Sequence, residues 1–170
     1  VTDKSDNPNC EVNEEASSTN IDDDELWFYQ PDYPQEYDNG YPISSHGCGC
    51  CSTTVAIDLL LNKGYTPDVV ARMMREWRNA NEPGLHFCVN AGTSWYEWQI
   101  VVQGTFGVTA KSISSIEEIK AALQAGHPVV VGGNGTFKNQ DGSTRTSSGH
   151  VLCFYKYDGN YFYCKDSSSG

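Results

Sequence analysis

The hydrophobic period of this sequence changes once, at His127-Pro128. That change restricts the chain to folds in which helices and an antiparallel sheet occupy separate parts of one domain. Before it, apolar residues recur at helical spacing. Cys48, Cys51, Ser52, Val55, Ala56, Leu59 and Leu60 form the stripe of a helix facing a core, which Gly64 stops. A second helix opens at Thr66-Pro67-Asp68 and buries Val70, Met73, Met74 and Trp77. A third starts near Thr93-Ser94, where Ser94 and Glu97 match a capping box, and closes at Gly104. A fourth runs from Ser115, with Glu118 three residues on, to Gly126. After His127-Pro128, residues 129–131, 150–157 and 161–165 are rich in β-branched and aromatic side chains, and Asp158-Gly159-Asn160 signals a hairpin. Between the first two strands, 132–149 reads as a polar loop. The expected class is α+β, with no internal repeat.

The 170 residues suffice for one domain with a real core and are short for two. Residues 1–25 hold nine acids against the single Lys4, which accounts for −8 of the net −11. With almost no large apolar residues up to position 24, this stretch reads as an acidic, disordered tail or linker, pinned at most by Cys10, ahead of a domain over 26–170. The segment from Leu26 to Pro34 joins aromatics to prolines and reads as extended, packed chain. The body is near neutral and has no basic cluster, which argues against nucleic acid as a partner. No run reaches the ~18 apolar residues of a membrane span. Seven cysteines are many for a reducing compartment, and an odd number leaves one thiol unpaired in a monomer. One reactive thiol and up to three disulfides fit an exported protein, secreted or at the cell surface, whose signal peptide is not in this sequence.

Three residues have the placement that thiol chemistry needs. Gly47-Cys48-Gly49 lies where a loop meets the first helix, so Cys48 sits among unpaired N–H groups at the positive end of the helix dipole. Beside an imidazolium, such a site favours thiolate. The flanking glycines let backbone approach a substrate carbonyl, with the Cys48 N–H as an oxyanion donor. His150 follows Gly149 and opens a strand. A three-residue hairpin loop over 158–160, with any bulge placed at Gly159, would pair Leu152 with Asp166 and set Asp166 diagonal to His150 on one face. It would also keep Cys153 and Cys164 from bridging. A two-residue loop would turn Asp166 away and bring the two cysteines opposite each other.

Several separated motifs then fall in one order: Tyr29-Gln30-Pro31-Asp32-Tyr33-Pro34, Ser44-Ser45-His46-Gly47-Cys48-Gly49, Tyr65-Thr66-Pro67-Asp68-Val69-Val70-Ala71, Gly92-Thr93-Ser94-Trp95, Gly126-His127-Pro128-Val129-Val130, Gly149-His150 and Asp166. In this order the chain resembles the C39-like papain-fold cysteine peptidases of bacteria over about residues 27–166. The resemblance implies a papain-like fold, with a helical lobe carrying the nucleophile packed against an antiparallel sheet. It implies Cys48 as nucleophile, His150 as base, Asp166 as third triad member and Gln30 as the side-chain donor to the oxyanion, with Gln35 the lesser candidate. The implied activity is hydrolysis of peptide or protein substrates through a thioester, without a cofactor, by a chain expected to be a monomer. Where the family reads Gly-Cys-Gly-Pro-Thr, this chain has Gly47-Cys48-Gly49-Cys50-Cys51. The papain signature laid over Cys48 to Cys51 would make Cys51 the nucleophile, but the glycine pair and the start of the stripe favour Cys48.

Other chemistries fit less well. Cys48, Cys50, Cys51, Cys88, His46 and His86 are metal-ligand types, but no second Cys or His pair follows at zinc spacing. Gly132-Gly133-Asn134-Gly135 follows a strand without leading into a helix, which excludes a dinucleotide or phosphate loop and leaves a mobile loop over the cleft. Two alternatives keep the fold: a secreted, disulfide-stabilised binding module without catalysis, and an amidase acting on cell-wall peptides.

Overall fold

The structure is a computed structural model and describes residues 26–139 and 141–168. The expected acidic tail and Cys10 lie outside the described residues. A 3-10 turn, Gln30–Asp32, interrupts the extended entry segment and is followed by two short antiparallel strands, β1 (Glu36–Asp38) and β2 (Tyr41–Pro42). Then come α1 (Ile43–His46), α2 (Cys48–Leu61) and α3 (Pro67–Asn81), a second small hairpin of β3 (Cys88–Val89) and β4 (Gly92–Thr93), α4 (Trp95–Phe106) and α5 (Ile116–Gln124). The chain finishes in an antiparallel sheet of β5 (Val129–Lys138), β6 (Thr144–Tyr157) and β7 (Phe162–Lys165), in the order β5-β6-β7. The helices precede the large sheet, as the change of period requires, and the architecture is α+β and consistent with a papain-like fold.

The helix ends follow their local chemistry. α2 stops at Asn62, which takes the left-handed conformation, while Asp58 Oδ1 accepts the N–H groups of Lys63, Gly64 and Tyr65 at 3.0, 2.5 and 3.2 Å. α5 carries the full capping box of Ser115 and Glu118. At α4 the Ser94 hydroxyl bonds the Glu97 carboxylate but caps no backbone N–H. The expected stop at Gly104 is wrong, because α4 runs on to Phe106 and ends at Gly107, whose φ of 67° suits glycine. Gly104 instead lets α4 approach α3, since a Cβ there would run into the Trp77 ring.

The largest correction concerns 132–149. In place of a loop, β5 and β6 continue as a paired ribbon to Lys138 and Thr144, and an irregularity in register between Gly133 and Asn134 separates it from the sheet proper. Polar and glycine-rich composition hid it, because the sequence there has no alternation of apolar and polar residues to read.

The main core joins Tyr37, Ile43, Cys50, Cys51, Ile57, Val70, Ala71, Met74, Phe87, Cys88, Val101 and Val102 across the helices and the small hairpins. Val55 and Ala56 of α2 pack with Cys153 of β6, and Val130 of β5 lies against them. One charged pair is enclosed: Arg78 Nη2 stands 3.0 Å from Asp38 Oδ1, with the Asp38 side chain fully buried. Arg78 also donates to the Leu85 carbonyl at 2.7 Å. The Cys88 N–H donates to Asp38 Oδ2 at 3.3 Å, so the network fastens β1, α3 and β3 together.

Candidate active site

Cys48 is the first residue of α2, directly after Gly47, which caps both α1 and α2. The Cys51 N–H closes the first helical bond, to the Gly47 carbonyl at 2.9 Å, so the N–H groups of Cys48, Gly49 and Cys50 precede the hydrogen-bond ladder. The two glycines answer to packing. A Cβ on Gly47 would lie 2.5 Å from Ile43 Cγ2, and one on Gly49 would collide with Thr93 of β4. Their part is therefore to seat the first turn of α2 between α1 and β4.

β6 brings the histidine to this turn. Ser52, one helical turn after Cys48, donates its hydroxyl to the carbonyl of Val151 at 3.1 Å, next to His150. The Cys48 side chain lies near enough to the His150 ring to act on its protonation. His150 Nε2 lies 2.7 Å from Asp166 Oδ1, which leaves Nδ1 as the ring nitrogen for the cysteine. The Asp166 bond, then the nearby Cys48 side chain, raise the His150 pKa to about 9 against the opposing effect of burial. Burial acts against ionisation of Asp166, yet the bonds from His150 and from the Ser168 N–H and hydroxyl, both 2.9 Å from Oδ1, hold its pKa at about 2.

The register behind this arrangement differs in detail from the expectation. The hairpin closes with Tyr157 opposite Phe162, so its loop is four residues, 158–161, and not three. The shift to Phe154↔Cys164 and Cys153↔Lys165 occurs between Phe154 and Lys156, where Tyr155 is the extra residue, and not at Gly159. Beyond this bulge the pairing continues as expected toward Leu152 and Asp166. Cys153 is buried opposite Lys165, and no disulfide joins any two of the six described cysteines. The expected disulfide framework is thus missing among the described residues.

Gln30 is buried, and its N–H donates to the Ser167 carbonyl at 2.9 Å. Ser167 Oγ lies 3.4 Å from Gln30 Oε1, which leaves the amide NH₂ as the donating end of the side chain. Gln35 is exposed, and its carbonyl accepts from the Ile43 N–H at 2.8 Å. Trp27 Nε1 donates to the Asp166 carbonyl at 2.9 Å, so the entry segment binds the residues around Asp166 at two points. Cys51 is buried in the core, and burial pushes its thiol up to about 12 against the opposing effect of Ser167. The His46 ring lies tilted against Tyr41, and the His86 ring hydrogen-bonds Arg78. Among the described residues no group of three or more His, Cys, Asp and Glu side chains is arranged to hold a metal ion.

Sequence reasoning passed over Ser52, Ser167 and Ser168. Ser52 stood in the helical stripe as one more buried position, and the only available signal was a hydroxyl where an aliphatic side chain would pack as well.

A helix opening on a cysteine, packed against an antiparallel sheet that presents a histidine and an aspartate to it, defines the papain-like class of α+β proteins. Within that class the chain belongs to the Peptidase_C39 like family, whose family model matches residues 27–170. No curated protein and no solved structure matches it. No helix among the described residues is long and apolar enough to cross a membrane.

Proposed function

We propose that this chain is a cysteine peptidase that hydrolyses amide bonds of peptides or proteins with Cys48 as nucleophile, His150 as acid and base, Asp166 as the group orienting the imidazole, and Gln30 as an oxyanion donor. The observation that carries this reading is the His150 ring bonded to Asp166 at 2.7 Å, with the Cys48 side chain near enough to act on its protonation. The raised histidine pKa favours an imidazolium at neutral pH, the form that accompanies a thiolate. The thiolate attacks the carbonyl carbon. The oxyanion is held by the Cys48 N–H and the Gln30 amide, and the His150 proton passes to the leaving amine. Water then attacks the thioester with neutral His150 as base, which returns the thiol. A binding module without catalysis would be marked by Cys48 locked in a disulfide or by Gln30 far from it, and the first mark is missing, since Cys48 is a free thiol. Export, with the protein secreted or at the cell surface, remains part of this proposal.

Iodoacetamide labelling at mildly acidic pH, followed by peptide mapping, tests the assignment. Cys48 is expected to be alkylated well before Cys51 and Cys88, whose thiols burial pushes up to about 12. Labelling that begins at Cys51, or proceeds evenly over all thiols, would remove the basis for Cys48.

A further inference from the structure

A departure from the family pattern places two thiols on the same helical turn. Where the family reads Gly-Cys-Gly-Pro-Thr, this chain has Cys50 and Cys51 after Gly49, so Cys48 and Cys51 form a Cys-x-x-Cys pair in the first turn of α2. The helix is regular from its start, since the Cys51 N–H already bonds the Gly47 carbonyl at 2.9 Å. In helical geometry, residues three apart share a face and have Cα atoms about 5 Å apart, within the range that a disulfide spans. Cys50 is directed elsewhere: its thiol donates to the Pro67 carbonyl at 3.2 Å, at the start of α3.

The two thiols also border one stretch of chain. Asp166 holds the His150 ring, and the Cys48 side chain lies near enough to that ring to act on its protonation. Ser167, the next residue, lies near enough to the Cys51 thiol to act on it likewise, and its hydroxyl is 3.4 Å from Gln30 Oε1. Cys51 therefore sits on the side of α2 that borders the candidate site, one turn deeper than Cys48. Their exposures differ as those of an attacking and a resolving thiol do, with Cys48 half-buried and Cys51 enclosed. Burial keeps Cys51 protonated, and charge on Cys48 adds to that effect. A mixed disulfide on Cys48 carries no such charge.

We propose that Cys48 and Cys51 are a redox-active dithiol, oxidised to an intramolecular disulfide by low-molecular-weight disulfides, and that this bond switches the candidate peptidase off. The Cys48 thiolate attacks one sulfur of the oxidant, forming a mixed disulfide and releasing the first small thiolate. Cys51 Sγ then attacks Cys48 Sγ, and its proton passes to the second small thiol as that group leaves. Two protein thiols are oxidised to one disulfide, and one oxidant molecule is reduced to two thiols. An excess of small thiol reverses the exchange. The loss of activity rests on the peptidase reading, whereas the dithiol itself does not.

The test incubates the reduced full chain with oxidised glutathione and blocks the remaining thiols with N-ethylmaleimide. The protein is then reduced with dithiothreitol, and the released thiols are labelled with iodoacetamide and mapped. In the wild-type chain Cys48 and Cys51 are expected to carry the second label together, and the unreduced map should show Cys48 free of glutathione. In Cys51→Ala, or in Cys51→Ser if the first variant does not fold, Cys48 should instead retain a glutathione. Casein turnover should fall by roughly tenfold or more as the pair forms and return with dithiothreitol, because the thiolate is the nucleophile. A glutathione that stays on wild-type Cys48, a link from Cys48 to Cys50 or Cys88, or no second label at Cys48 overturns the dithiol. Turnover that persists with Cys48 and Cys51 linked overturns the switch. If the reduced wild-type chain leaves casein uncut, the peptidase reading alone fails, and the labels still decide the dithiol.

Discussion

The hydroxyl of Ser52 donates to the carbonyl of Val151 at 3.1 Å, and this bond sets the distance between the first turn of α2 and the start of β6. Cys48 lies one turn before one end of the bond, and His150 lies one residue before the other. Ser52→Ala is expected to leave the buried Val151 carbonyl without this partner and to cost about 1–2 kcal/mol in denaturant unfolding. The same variant should lower kcat by more than its fraction unfolded explains, since it loosens one element against the other. Unchanged turnover with the expected loss of stability would confine Ser52 to packing.

The His150–Asp166 pair yields a pH dependence with a definite sign. The histidine is raised from 6.5 to about 9, so its contribution to stability is complete below 6.5 and is lost as pH rises through about 9. The aspartate is lowered from 3.8 to about 2, so its contribution holds above 3.8 and is lost as pH falls through about 2. Activity should have an alkaline limb near pH 9, where the imidazolium loses the proton destined for the leaving amine. In Asp166→Asn that limb should move down toward 6.5, which a kcat/KM profile of the two proteins reads directly.

Cys48→Ala is expected to lower turnover by about four orders of magnitude or more while the melting curve stays close to that of the parent. Cys51→Ala should retain turnover within a few-fold, because Cys51 is enclosed by the core. Retained activity in the first protein and loss in the second would transfer the nucleophile to Cys51.

Asp38 and Arg78 form the enclosed ion pair of the helical part. Arg78→Ala strands a buried carboxylate and is expected to cost about 3–5 kcal/mol, read as a lowered denaturant midpoint. Replacing both residues with apolar side chains of similar size should recover much of that loss, whereas an equal loss in the double variant would mean that the bonds to Leu85 and Cys88 dominate.

Helix positions were legible because α2, α3 and α5 each have an apolar stripe and local end signals, and the candidate triad was legible because separated motifs fall in one order. The register between His150 and Asp166 was reached by a different route from the one expected. A three-residue loop and a four-residue loop with a bulge at Tyr155 produce the same pairing beyond Phe154, and turn residues alone cannot tell them apart. The ribbon of β5 and β6 and the hairpins β1-β2 and β3-β4 were missed because strands of two or three residues, or strands made of polar residues and glycine, leave no periodic trace in the sequence. Cysteine count was the weakest guide, since burial of Cys50, Cys51, Cys88 and Cys153 as thiols uses them as small apolar side chains. A map of unreduced peptides should accordingly contain no Cys153–Cys164 link.

The strap in which Trp27 and Gln30 bind the carbonyls of Asp166 and Ser167 joins positions 139 and 137 residues apart. In a chain made from its amino end, these bonds are among the last to form, since the second partner emerges only after both lobes have been synthesised. The imidazole gains its carboxylate, and the amide of Gln30 its anchor, at that same moment. Under the proposed assignment, a growing polypeptide therefore holds Cys48 and Gln30 without these partners until Asp166 and Ser167 have been added.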